Sequence, residues 1–551
     1  MAAVACTGTP TPPVQQPLVA GPPAIPDTQP AVDFALFLGQ RAFASPLSNE
    51  TDFAPLLSTA RVDGGNSGVV DGPSPLGVAP VTGSAELPLQ PPLLWGRGGM
   101  VAGCQIALDP GLTKNCLAAV DASTLTIEAR WLPAGQDLDL DSAVLYDSDR
   151  VVVATLQRHV IVVQAPANAG GTFQELRDID LSGHLADNQS LLSVAADVDG
   201  NLWFVSGGAS PTGQPAVDTT VGYVTPDDQV VTTTLPDQLV ATGLAIDQED
   251  VYLATAPAAA PVPETAGAPV LGADEGQLYD LTAATNLVQV VWHESFDAGS
   301  SVKAGATVRG SGAPVVLLGT QYLAITDNAD PQPHLLIFQR GPLAPSSSSG
   351  TTTATSGATT TMTTSSTVPG EAPPPTTGDP RLVCSVALFS PGASAVTTAP
   401  IGYSSDGTNS VFVTNGYGTP PPLAGPSDAG PANDIGQMPG GMTRVDVLPD
   451  GSGCRTVWTA GLRLDTAPIL STTTGLIYGY TQDPVAAASG NYVWYFVAVD
   501  ERSGDVIWQQ RAGAGSTKND DGLPTVVGAN GVLYQCVPLG LVWMHDVGQH
   551  P

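Results

Sequence analysis

The stretch YFVAVDERSGDVIWQQRAG, residues 495–513, decides the fold. An apolar run ends in Asp500, a polar turn carries Gly504, and a second apolar run reaches Trp508. β-Branched and aromatic residues on both sides of an acidic, glycine-bearing turn predict a β-hairpin. The pattern recurs in AAVDASTLTIEARW (118–131), LYDLTAATNLVQVVW (278–292) and RVDVLPDGSGCRTVW (444–458), and more weakly in GYVTPDDQVVTTTLP (222–236). Trp131, Trp292, Trp458 and Trp508 hold one place in these hairpins. One large aromatic at one position predicts one packing role, filling the gap between neighbouring sheets.

A second phrase lies upstream of each hairpin: a short apolar strand, a turn, then a β-branched or aromatic strand. Copies include VLYDSDRVVVATLQRHVIVV from 144, LSVAADVDGNLWFVS from 192 and PTVVGANGVLYQCV from 524, with a degenerate one, PLLWGRGGMVAGC, from 92. There are eight copies, spaced about 50 residues apart where no linker intervenes. Four strands at that period predict an all-β fold, an eight-bladed β-propeller with four-stranded antiparallel blades, seven blades being the alternative count. A lone four-stranded sheet cannot bury both faces, whereas sheets stacked around an axis cover one another. The last unit stops at GLVWMHDVGQHP without a fourth strand, so an N-terminal segment within 32–60 is expected to close the ring.

Composition sets the class of partner. The chain has 551 residues, 42% hydrophobic, with 61 Gly and 51 Pro, which suits short strands and many turns. Only 18 Lys and Arg stand against 51 Asp and Glu, a net charge of −33. Phosphate backbones are bound by clustered cations, so nucleic acid is excluded as a partner. No apolar run reaches the length needed to span a membrane as a helix. Ala3-Val4-Ala5-Cys6 resembles the end of a bacterial lipoprotein signal, with Cys6 as the lipidation site. A Pro-rich tether over 1–31 is expected to lead into a single propeller over 32–551, with loops thrown out at 256–275, 345–380 and 416–441. The expected location is extracellular, at the cell surface or in the periplasm.

The other cysteines are Cys104, Cys116, Cys384, Cys454 and Cys536. None forms a CxxC pair or has a His at ligand spacing, which argues against zinc. Cys104 and Cys116 flank one expected hairpin, and Cys384 and Cys454 open and close one repeat. Both pairs are expected disulfides of an oxidising compartment, with Cys536 a buried spare thiol, although spacing alone does not fix the connectivity.

Ala498-Val499-Asp500, Ser503-Gly504 and Trp508 resemble the outer hairpin of the quinoprotein-type propeller repeat, which reads Ala-Leu-Asp, Thr-Gly, then Trp. The match is good in the last hairpin, partial elsewhere, and covers roughly residues 90–546. The resemblance implies the fold. Quinone-dependent alcohol dehydrogenases of this type carry an adjacent-cysteine disulfide over the cofactor and a Ca²⁺ held by Glu, Asn and Asp, and this chain lacks both patterns, so no quinone is expected. LAITDNADP and GSGCRTVW also give the chain the look of a group of secreted bacterial propeller proteins.

Candidate chemistry centres on YLAITDNADPQPH, which places Asp327, Asn328 and Asp330 after a strand near the channel mouth. Asp327 and Asp330 have the oxygens calcium prefers, against the alternative of an Asx turn that satisfies its own backbone. His293 and Lys303 in VWHESFDAGSSVKAG, Asn415 in FVTNGYG, and Asn519 and Asp520 in STKNDDGLP would form a polar pocket if their loops shared one face. The leading expectation is a binding scaffold that needs no cofactor and takes a protein, glycan or small-molecule ligand at the cell surface. The alternatives are an enzyme at the channel mouth, either a Ca²⁺-assisted hydrolase or lyase or a quinone oxidoreductase, and a subunit of a surface assembly.

Overall fold

Every hairpin singled out above is the outer half of a four-stranded antiparallel sheet, and eight such sheets form an eight-bladed β-propeller. The computed structural model describes residues 21–29, 34–50, 53, 63–109, 111–147, 149–168, 170–207, 218–258, 275–306, 309–343, 380–428 and 430–547. Cys6 and most of the loops at 256–275 and 345–380 lie outside them.

Blade 1 joins Thr525–Val527, Leu533–Val537 and Gly540–Asp546 to Pro80–Glu86. Blades 2, 3 and 4 run from Leu89 to Trp131, Leu138 to Asp180 and Ser190 to Leu235. Blades 5 and 6 run from Ala245 to Asp297 and from Val316 to Ala387. Blade 7 runs from Ile401 to Ala460, and blade 8 from Ile469 to Ala514. In each of blades 2–7 the first strand in sequence is innermost and the fourth lies at the rim; blade 8 keeps that order over Ile469–Ala514 and gains one short strand at each edge.

The tryptophans pack between blades as their common position predicts. Trp458 of blade 7 donates from Nε1 to Glu501 O at 2.9 Å and lies over Gly504 in the blade 8 turn. A Cβ on Gly504 would come within 2.6 Å of that indole, and its φ of +75° already favours glycine. Trp292 of blade 5 stacks under the Arg381 guanidinium beside the outer strand of blade 6, 4.6 Å from the ring centroid. Trp131 of blade 2 packs against a core cluster shared by blades 2 and 3, to which Leu117, Leu138, Leu145 and Val153 belong.

Ring closure differs from the sequence expectation in its address. The missing strand is Pro80–Glu86, paired from Pro80↔Asp546 to Glu86↔Gly540, and not a segment within 32–60. Its sequence PVTGSAE has small residues where the other strands are bulky; Gly83 leaves room for the Trp543 ring, which a Cβ would meet at 2.0 Å. Residues 37–39 instead add a fifth strand to the rim of blade 8, pairing with 508–510.

Both expected disulfides are present. Cys104–Cys116 links facing positions of two neighbouring strands in blade 2. Cys384–Cys454 joins the outer strands of blades 6 and 7, so it staples two blades rather than opening and closing one. Cys536 is free and buried.

Along the inner strands of blades 5–8 the axis of the ring is lined by the chain itself. Residues 64–70 pass the innermost strands of blades 5, 6, 7 and 8 in turn. Gly64 O accepts from Ile246 N at 2.7 Å, Gly65 O from Leu317 N at 2.8 Å, Ser67 O from Gly402 N at 2.8 Å and Gly68 O from Leu470 N at 2.9 Å. Val69 and Val70 then pair in parallel with Leu470 and Ser471. Asn66 Nδ2 donates to Val315 O at 2.8 Å and Leu244 O at 3.2 Å. Inner-edge amides that would face a water-filled channel are thus matched by protein. Burial in this plug pushes the Asp63 carboxyl up to about 6, and burial with nearby Asp63 raises Glu50 well above the usual range.

Candidate functional site

Antiparallel strands fix which loops meet. A chain entering a blade at its inner strand returns to the same face after the second strand and again after the fourth. The connectors between blades and the second-to-third-strand loops therefore share one face, here the connector face. Asp327, Asn328 and Asp330 (blade 6 loop), Lys303 (connector into blade 6), Asn415 (blade 7 loop), Asn519 and Asp520 (connector into blade 1) all lie on it. His293 does not join them: it is exposed on the rim strand Leu287–Asp297 of blade 5, with Nδ1 3.3 Å from Gln277 Oε1.

The oxygens of the blade 6 loop are engaged by its surroundings. Asp327 Oδ1 accepts from His334 N at 2.6 Å and Ala329 N at 3.2 Å, and Oδ2 stands 2.9 Å from His334 Nδ1. The Asp327 carboxylate raises the His334 pKa. Asn328 Nδ2 donates to Ala298 O and Ser301 O at 2.9 and 3.0 Å. Asp330 Oδ2 takes Ser300 Oγ at 2.6 Å, while Lys303 Nζ reaches Ala329 O at 2.5 Å. These bonds fasten the loop to the connector beside it. Asn415, almost fully buried, uses its whole amide: Nδ2 donates to Ala393 O and Gly440 O, each at 3.0 Å, and Oδ1 accepts from Ala395 N and Tyr417 N.

The 416–441 insert does not project from the disc. It leaves blade 7, arches over blade 8 and reaches the connector into blade 1. Leu423 N donates to Asp521 Oδ1 at 2.7 Å, and Pro426 O accepts from Ser516 Oγ at 2.8 Å. Two short 3-10 turns, Pro431–Asn433 and Ile435–Gln437, pack its descending limb on the connectors. There Asn519 Nδ2 donates to Ala432 O and to Asn433 Oδ1 at 3.1 and 3.2 Å.

Beneath this arch, between blades 1 and 2, lies a cavity of about 470 Å³. Leu87, Leu89, Leu523 and Val537 give it apolar walls, Gln90 and Gln105 add primary amides, and Leu423 with Pro426 forms the roof. Cys536 also lines it, but burial pushes that thiol up to about 12, so it stays protonated and is not a nucleophile. With Asp521 as its one carboxylate, such a lining recognises by shape and hydrogen bonds. Sequence reading does not find these residues, because the cavity exists only where a blade 7 insert crosses to blade 1, and nothing in Gln90 or Gln105 marks them.

Buried charge around the site is handled in two ways. Between blades 7 and 8, Arg444 Nε is 2.8 Å from Asp446 Oδ1, and its Nη1 pairs with Glu501. Between blades 8 and 1, Lys518 is buried; its Nζ donates to Ile25 O at 2.7 Å and Ser84 Oγ at 2.9 Å. Burial lowers its pKa to about 8. Asp27 next to it pairs with Arg511 at 2.6 Å. The opposite face has a groove between blades 3 and 4 bearing Arg150 and Arg177, each paired with an aspartate, Asp147 and Asp228.

Fold and site together define a class: an eight-bladed β-propeller whose own chain covers the inner edges of blades 5–8 and which has a concave surface off-axis, under an arch. No protein-family model and no curated protein matches the chain. Solved propellers do. The WD40 domain of SCAP from fission yeast matches at 7% identity over 85% of this chain and 96% of that one, TM-score 0.42. Chaetomium thermophilum Sqt1 bound to the N-terminus of the ribosomal protein L10 matches at 12% identity over 85% and 97%, TM-score 0.41. A putative 6-phosphogluconolactonase from Bacteroides uniformis matches at 9% over 75% and 93%, TM-score 0.32. At such identities and scores no ligand or activity carries over.

Proposed function

We propose that this is an exported binding scaffold which takes a partner protein at the connector face, seating an apolar segment of it in the cavity beneath the 416–441 arch. The observation that carries the reading is the contrast between an axis lined by residues 64–70 and a cavity of about 470 Å³ walled by leucines and two glutamines. A volume of that size suits a few side chains, and a lining of apolar walls, two primary amides and the carboxylate of Asp521 suits a segment that carries apolar side chains beside hydrogen-bond donors. Two disulfides support an oxidising compartment; in this reading the protein sits at the cell surface or in the periplasm, and the Ala3-Val4-Ala5-Cys6 sequence is the ground for Cys6 as its lipid anchor. The quinoprotein-type look of the blade 8 hairpin enters as a feature of the repeat; the binding role calls for no cofactor.

The test uses a photo-crosslinking amino acid in place of Leu423, above the cavity, or of Leu176, in the opposite-face groove, in protein produced in its source cells. A discrete adduct through position 423 and none through 176 is the expected result. Adducts through 176 alone, or none at either position, contradict the proposal.

A further inference from the structure

Behind the arch, the connectors into blades 8 and 1 bring together two carboxyls with no positive partner. Asp520 is completely buried and Asp465 is 6% exposed, and the two stand within hydrogen-bonding reach of each other. Asp465 Oδ1 and Asp520 Oδ2 receive no donor from the rest of the described chain, and no Arg or Lys pairs with either among the described residues. This is the reverse of the neighbouring blade interface, where Arg444 bridges Asp446 and Glu501.

Two further buried oxygens belong to residues tied to the pair, one through hydrogen bonds and one through the chain. Gln482, at the connector-face end of its strand, donates from Nε2 to Asn433 O, and Asn433 Oδ1 takes Asn519 Nδ2, on the residue before Asp520. That leaves Gln482 Oε1 buried without a partner. Thr466 Oγ1, next to Asp465, is in the same condition. A shared proton would settle the two carboxyls and leave the amide oxygen as it stands. A hard divalent cation takes carboxylate, amide and hydroxyl oxygens together and cancels the buried negative charge.

We infer that Asp465, Asp520, Gln482 and Thr466 form a calcium site that fastens the connectors into blades 8 and 1 beneath the arch. Three or more His, Cys, Asp or Glu side chains do not gather at any metal site among the described residues. This site instead pairs two carboxylates with neutral oxygens, a mixture calcium accepts. It lies away from Asp327, whose oxygens are bound within the blade 6 loop, and from Asp330, whose Oδ2 is bound by Ser300 of the connector.

The experiment is equilibrium dialysis of the whole chain against calcium-45, paired with thermal unfolding in calcium and in EDTA. Wild type, Asp465→Asn, Gln482→Leu and Asp327→Asn are compared. One bound calcium per chain in wild type is expected, with binding at least about tenfold weaker in Asp465→Asn and Gln482→Leu, and a wild-type Tm lower by roughly 5 °C in EDTA. If Asp465→Asn does not fold, Gln482→Leu and the wild-type EDTA shift decide. No calcium bound by wild type at about 1 mM, the weak end of protein calcium sites, overturns the assignment, as does a Tm indifferent to EDTA. Loss of binding in Asp327→Asn alone also overturns it, by moving the ion to the blade 6 loop.

Discussion

The ring axis and the cavity under the arch are both hollows that blades alone would leave, and the chain treats them in opposite ways. At the axis, Gly64 to Val70 offers its carbonyl oxygens to one inner strand after another. Under the arch, Leu87, Leu89 and Val537 line a cavity that no strand occupies. The axis is closed by main-chain groups, which any sequence carries. The cavity is lined by side chains, which can be selective. The first arrangement holds the ring together, and the second leaves a surface for a partner.

The largest effect is expected at the axis. Asn66 sits at φ +57° with its amide shared between Leu244 O and Val315 O. Asn66→Ala strands two buried carbonyls and puts alanine in a left-handed conformation, so stability should fall by roughly 2–4 kcal/mol in denaturant titration. A loss below about 0.5 kcal/mol would mean that the plug does not brace the ring. At the cavity the same size of change should affect binding alone. Leu423→Trp, growing inward from the roof, should abolish the crosslinkable partner with Tm within about 2 °C of wild type; retained binding would separate partner from cavity.

How much of this contrast was legible follows from what each part is made of. Trp131, Trp292, Trp458 and Trp508 declared the blades because each fills one inter-sheet gap and must be large. The cysteine pairs were visible as spacings, but which blades Cys384 and Cys454 join depended on where a blade begins in space. The plug DGGNSGVVDG, residues 63–72, reads as turn sequence, since its work is done by backbone oxygens. The closing strand PVTGSAE was hidden by small side chains. Among candidate residues, Asp327, Asn415 and Asn519 were noticeable as polar clusters. The structure gives their atoms to their own or neighbouring loops, while Gln90 and Gln105 carried no pattern.

A smaller effect concerns pH. The Asp63 carboxyl, held at about 6 by burial, binds its proton more tightly in the folded state than in the unfolded one. Its contribution is therefore fully present below the unfolded value near 4 and is lost as pH rises through about 6. Tm should decline between these values, and Asp63→Asn should flatten the decline by a few degrees. An unchanged slope would place the titration elsewhere. The cavity has only Asp521 as a titratable carboxylate, so partner affinity should vary little over the same range. Smallest of all, Gln105→Ala should weaken partner binding roughly threefold to tenfold, the worth of one neutral hydrogen bond, with unfolding unaltered.

Hydrogen–deuterium exchange resolved to single amides puts the contrast to its most direct test. Ile246, Leu317, Gly402 and Leu470 lie on inner edges that only residues 64–70 cover. Their amides should exchange as slowly as those of core strands such as Val151–Val153, while Gly425 and Ser427 of the arch exchange fast. If the four amides exchange as freely as the arch, the axis is open to water and the division between a closed channel and a binding cavity fails.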